Sequence, residues 1–170
     1  MATNLQFIKS ASTSSASTLD VTDCFSADYD VYMISSWFSS SSENGLGIRL
    51  IDSVGSVITG AEYDYAAQGL LSALAFGENK STTATGFDYF QYNESSWGSS
   101  AISYIYNPYD SSSYTFFSSQ SSGMYINGAT TTSVGYKYIG VHHTAEQITG
   151  LQLRGISVAS AMEVSVYGVK

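Results

Sequence analysis

The chain has 170 residues, of which 44% are hydrophobic and 12% charged, and its 14 acidic residues face 6 basic ones for a net charge of -8. That length holds one sizeable core and not two comfortable domains, so residues 1–170 read as a single domain. Without a basic stripe to displace counterions from phosphate, neither nucleic acid nor an anionic membrane is an expected partner. A single cysteine, Cys24, excludes an internal disulfide framework and a multi-thiolate metal site. Cys24 sits among apolar and aromatic neighbours and reads as a small core residue.

The start, Met1-Ala2-Thr3-Asn4, has neither a basic region nor an apolar run of the secretory kind. No apolar stretch approaches the ~20 residues that cross a bilayer. Folding in the cytoplasm of the producing cell is therefore expected.

Strand signals then follow one another along the chain. Segments rich in Val, Ile, Tyr, Phe and Trp predict strands at Leu5 to Ser10, Leu19 to Phe25, Tyr29 to Phe38, Leu46 to Asp52 and Phe87 to Tyr92. Further strands are predicted at Ala101 to Tyr106, Tyr114 to Ser118, Val134 to Val141, Ile148 to Ile156 and Met162 to Val169. Turn-formers separate them: Asn44-Gly45, Ser53 to Ser56, Gly77-Glu78-Asn79, Asn107 to Asp110 and Asn127-Gly128. Between Tyr65 and Phe76 the Ala/Leu content admits a short helix, which Gly69 weakens by about 1 kcal/mol. The Ser-rich stretches Ser10 to Thr18, Ser39 to Ser42 and Ser118 to Ser122 read as loops. About ten short strands with no sustained helical period predict an all-β, antiparallel sandwich or barrel.

No catalytic constellation stands out. Asp20, Asp23, Asp28 and Asp30 are the densest acidic group, but their spacing is not that of an EF-hand loop and they read as solvated turn carboxylates. His142 and His143 point to opposite faces if they lie on a regular strand, and no carboxylate follows at an evident ligand spacing, so no metal site and no cofactor is expected. The serines lack a Gly-x-Ser-x-Gly elbow, and no Gly-rich phosphate loop is present. A sugar-active enzyme with two distant carboxylates stays open only as a reading to be tested.

The aromatics carry the binding potential. Tyr104, Tyr106, Tyr109, Tyr114, Phe116 and Phe117 crowd around the Asn107-Pro108 turn, and Trp97 follows the Tyr89-Phe90-Gln91-Tyr92 run. Such rings give large contact area at low entropic cost and suit both protein interfaces and sugar stacking. Alternation places Ile102, Tyr104 and Tyr106 on one strand face and Ser103 and Ile105 on the other.

The stretch from Ile148 to Lys170 opens Ile-Thr-Gly-Leu. It then runs through an apolar strand and a small-residue turn into a strand with Met162, Val164 and Val166 on one side and Glu163, Ser165 and Tyr167 on the other, ending Val-Tyr-Gly-Val-Lys. Tyr104 to Ser112 is a strand running into an Asn-Pro turn. Together these segments, about a fifth of the chain, resemble small structural proteins of tailed bacteriophages, especially marine ones. Ser157 to Ala161 stands where that family has a Gly-containing turn. The resemblance implies a jelly-roll β-sandwich that assembles in the host cytoplasm into the virion. It further implies a capsid decoration or cement protein that forms a homotrimer and contacts capsid proteins. The alternative is a tail-associated fibre-tip module that binds host-surface glycan through loop Tyr and Trp residues.

Overall fold

The computed structural model describes residues 4–42, 44–72, 76–94, 97–127, 130–157 and 160–170. Among them the regular elements are all β-strands. The first six are β1 (Leu5–Ala16), β2 (Thr18–Val21), β3 (Val31–Ser39), β4 (Asn44–Asp52), β5 (Tyr63–Leu71) and β6 (Gly77–Ala84). They are followed by β7 (Phe87–Asn93), β8 (Ser99–Tyr106), β9 (Thr115–Asn127), β10 (Thr130–His142), β11 (Ile148–Gly155) and β12 (Ser160–Val169). Eight of them form one sheet in the order β1-β12-β3-β8-β9-β10-β5-β6, and four form a second in the order β2-β11-β4-β7.

All pairings between neighbouring strands are antiparallel, and they nest. With β5, β6, β9 and β10 set aside, β1 pairs with β12, β2 with β11, β3 with β8 and β4 with β7. Successive pairs of this folded hairpin fall alternately in the larger and the smaller sheet. The contacts β12 with β3 and β11 with β4 then close it on itself. The two remaining strand pairs extend the larger sheet beyond β8, with β10 joining β9 to β5.

Alternation fixes what each sheet turns inward. On β3, Tyr32, Ile34, Ser36 and Phe38 are buried while Val31, Met33, Ser35 and Trp37 lie on the outer side. On β12, Met162, Val164 and Val166 point in, as the period-two pattern predicts. Opposite them the smaller sheet supplies Leu46, Ile48, Leu50, Leu151 and Leu153, all fully buried. Burying a side chain of this size contributes roughly 1.5–3 kcal/mol, so this inner layer holds the two sheets together. A polar link crosses it: Ser36 Oγ donates to Gln91 Oε1 at 2.9 Å, and Gln91 Nε2 donates to Ser99 Oγ at 3.0 Å.

Under the added strands the core becomes aromatic. Phe117 stacks on Phe87 with ring centroids 4.8 Å apart and meets Phe90 edge-on at 5.5 Å and Tyr138 at 5.6 Å. Phe87 and Phe90 are three residues apart, and regular alternation would send one of them outward. An irregularity in β7 resolves this: five residues from Phe87 to Gln91 oppose three from Leu46 to Ile48, and Tyr89 adopts φ 58°. The Tyr89 ring then lies on Gly45, where an added Cβ would stand 2.3 Å from the ring. Only glycine fits beneath it.

Several sequence expectations are corrected. The possible helix over 65–76 is strand β5, with Tyr63 and Ala67 buried; residues 73–75 lie outside the described residues. Gly77-Glu78-Asn79 opens β6 instead of making a turn, and Asn44-Gly45 opens β4. Ser10 to Ala16 belongs to β1 and Ser118 to Ser122 to β9, so these serines are strand residues, not loops. Neighbouring strands supply their backbone partners, which outweighs the weak strand propensity of serine. The twelve strands therefore exceed the expected ten mainly through β5 and β6. Gly128, Val158 and Ala159, in two of the expected turns, lie outside the described residues.

Candidate functional site

The register of the larger sheet sorts its outer face into rows. One row crosses it as Phe7, Tyr167, Met33, Tyr104, Ser118, Ile139 and Ala66, each directly opposite the next. The adjacent row reads Leu5, Val169, Val31, Tyr106, Phe116 and Val141. These two rows are almost wholly apolar or aromatic. Ile139 is 63% exposed, Phe7 53%, Phe116 45% and Leu5 40%. The next row is polar apart from Ile102, with Ser10, Ser165, Ser35, Ile102, Gln120, Lys137 and Gln68 in line. At about 4.8 Å per strand the seven-residue rows run roughly 29 Å.

Tyr104 and Tyr106 occupy the middle of the apolar rows, with ring centroids 6.3 Å apart and planes 28° from parallel. The Tyr106 hydroxyl and Ser118 Oγ share a hydrogen bond of 3.2 Å. Beside them Ser118, Gln120, Lys137 and Ile139 complete an open groove of about 440 Å³. Phe116 projects from the same face.

The other expected contact residues fall elsewhere. Phe117 is corrected outright: it is 2% exposed and stacked in the core, because β9 turns Thr115, Phe117 and Ser119 inward. Tyr109 lies in the β8–β9 connection beside Tyr29 and Asp30, and Tyr114, 48% exposed, follows it. Trp97, 55% exposed, precedes β8 at its other end. An eight-residue strand separates Trp97 from Tyr109 by roughly 25 Å, so the two cannot share one small ligand. The sequence does not single out Phe7, Met33, Ile139 and Tyr167. Strand alternation reveals which residues of one strand share a face, but only the register aligns those faces into rows.

The Asn-Pro segment is a structural corner. Asn107 adopts φ 54°, its N–H donates to the Asp30 carbonyl at 2.7 Å, and the Pro108 carbonyl accepts from Ile148 N–H at 2.7 Å. It thus ties β8 to the approach of β3 and to β11.

The two histidines fall on opposite sides, as strand alternation predicts, and each meets a carboxylate that the sequence does not single out. His142 is fully buried, and its Nε2 lies 3.1 Å from Glu62 Oε2 and 3.6 Å from Glu146 Oε1. One carboxylate comes from 80 residues away and the other from four residues on. His143 lies on the other side, with Nδ1 3.3 Å from Asp64 Oδ1. Burial raises the Glu146 carboxyl pKa, and nearby His142 opposes that rise. Among the described residues, Asp20, Asp23, Asp28 and Asp30 form no such group. Asp20 instead accepts from Gln152 Nε2 at 2.8 Å.

Comparison with protein-family models gives no match, and comparison with curated proteins gives none.

Proposed function

We propose that this chain is a non-enzymatic structural component of a bacteriophage virion, a capsid-surface decoration protein that works by burying the outer face of its larger sheet. The nested pairing of first strand with last supports reading the fold as a jelly roll with two inserted strand pairs. The virion assignment is supported by the two segments that resemble phage structural proteins. The self-association is carried by one observation: two contiguous apolar rows cross the larger sheet on its solvent side. Apolar patches of that extent mark interaction surfaces. The two rows are on the order of 29 Å long and ~14 Å wide, roughly 400 Å², which is the apolar centre of an interface in which each partner typically contributes ~800 Å².

The occupant proposed is a second copy of this chain within a homotrimer. A three-fold interface is heterologous and needs two unlike patches per copy. The rows provide them, with Phe7, Tyr167 and Met33 toward one edge and Phe116, Ile139 and Val141 toward the other. Light scattering on the purified protein, compared with an Ile139→Asp variant, tests this reading.

A second reading is favoured by the groove at Tyr104 and Tyr106, whose paired rings adjoin Ser118, Gln120 and Lys137. Rings flanked by hydrogen-bonding side chains suit a sugar, as in a tail-associated adhesin. Glycan binding that is lost in a Tyr104→Ala, Tyr106→Ala double variant would support it.

A further inference from the structure

We propose that Glu62, His142 and Glu146 form a binding site for a divalent transition ion of the zinc kind, with His142 Nε2 and one oxygen of each glutamate as ligands. Their candidate ligand atoms all lie within 4.8 Å of one another. With bonds of about 2.1 Å, neighbouring ligand atoms stand ~3.0 Å apart around an octahedral ion and ~3.4 Å apart around a tetrahedral one. The observed separations from Nε2, 3.1 and 3.6 Å, run from slightly above the octahedral edge to slightly above the tetrahedral one, so an ion would draw the two carboxylates in by a few tenths of an ångström.

Charge points the same way. With a neutral imidazole, two ionised carboxylates leave the trio at −2, which a divalent cation cancels. Asp52 adds to the negative field at Glu146. Imidazole with carboxylate oxygen is a donor set that zinc accepts, and the position left open would take water.

The surroundings of the imidazole supply an independent observation. His142 Nδ1 is buried and has no hydrogen-bond partner, and neither has Thr115 Oγ1. These two residues are directly opposite in the β9–β10 register and both are fully buried. Metal ligation through Nε2 requires the proton on Nδ1, and metal-bound histidines donate that proton to an outer acceptor. Thr115 Oγ1, across a strand pair whose Cβ atoms are about 5 Å apart, is the neighbouring oxygen that such a proton would have to reach, and the two atoms do not bond each other in the metal-free chain. Access is open as well, since the Glu62 and Glu146 side chains are 37% and 32% exposed while His142 is closed off. Glu62 precedes β5, His142 ends β10 and Glu146 precedes β11, so the ion would clip the added strands where the chain crosses to the smaller sheet.

The test is isothermal titration of the chelator-stripped full chain with ZnCl₂, paired with thermal unfolding with and without zinc. Expected are saturable binding of one ion per chain and a raised unfolding midpoint. Both are lost in Glu62→Gln and in Glu146→Gln, and both survive in His143→Ala. Glu146→Gln removes only a partly buried charge, and its unfolding midpoint without zinc checks that it folds. Absence of saturable zinc binding to the unaltered chain overturns the proposal, as does binding that survives both glutamine variants or disappears in His143→Ala.

Discussion

The rings of Phe87 and Phe117 stack 4.8 Å apart and 8° from parallel, one from each sheet. This contact is available only because β7 is irregular at Tyr89 and because Gly140 leaves room, a Cβ there falling 2.7 Å from the Phe87 ring. It joins the added strands to the body of the sandwich.

Phe117→Ala is therefore expected to cost about 3–5 kcal/mol, the range for truncating a buried aromatic. The adjacent Phe116→Ala, on the open face, should stay within about 0.5 kcal/mol in the isolated subunit. Urea unfolding below the association concentration measures both. Equal losses would mean that β9 does not turn Phe117 inward.

At the Asn-Pro corner, Asn107 carries a left-handed backbone. Asn107→Gly should be nearly neutral, whereas Asn107→Ala should lose roughly 1–2 kcal/mol, the steric cost of that conformation for an ordinary side chain. The difference between the two midpoints in a denaturant titration is the measurement. A loss on glycine substitution equal to that on alanine would place the role of Asn107 in its side chain instead.

Cys24 is buried and donates to the Val21 carbonyl at 3.4 Å; burial pushes its thiol from 9.0 up to about 12, with Lys9 opposing the rise. Because the folded value lies above the unfolded one, its contribution is fully present below pH 9 and is lost as pH rises toward 12. The stability difference between the native chain and Cys24→Ala should narrow over that window, with the tyrosines common to both. Parallel profiles would contradict the assignment. In the native state the thiol should also resist alkylation until the chain unfolds.

How much of this is legible in the sequence depends on how local the determining contacts are. Met162, Val164 and Val166 alternate cleanly, and their burial follows directly. Tyr104 and Tyr106 share a face with Ile102 as the alternation predicts, with Ser103 and Ile105 buried behind them. Strand β5 is ambiguous because Ala, Gln and Leu favour helix, and only pairing with β10 and β6 settles its state. The serines of β1 and β9 are hidden for the same reason. Phe117 cannot be assigned inward from its neighbours alone, since the partner that places it, Phe87, is 30 residues away on an irregular strand. The pairing of Glu62 with His142 spans 80 residues and leaves no local trace.

The central claim, that the apolar rows of the larger sheet are buried between copies of this chain, is tested most directly by sedimentation equilibrium of the unaltered protein beside Ile139→Asp. Ile139 is 63% exposed, so the variant should keep its unfolding midpoint at dilutions where both proteins are monomeric. The account predicts a trimer for the unaltered chain and a folded monomer for Ile139→Asp. A unaltered chain that stays monomeric at every concentration, or a variant that associates as strongly as the parent, would contradict it.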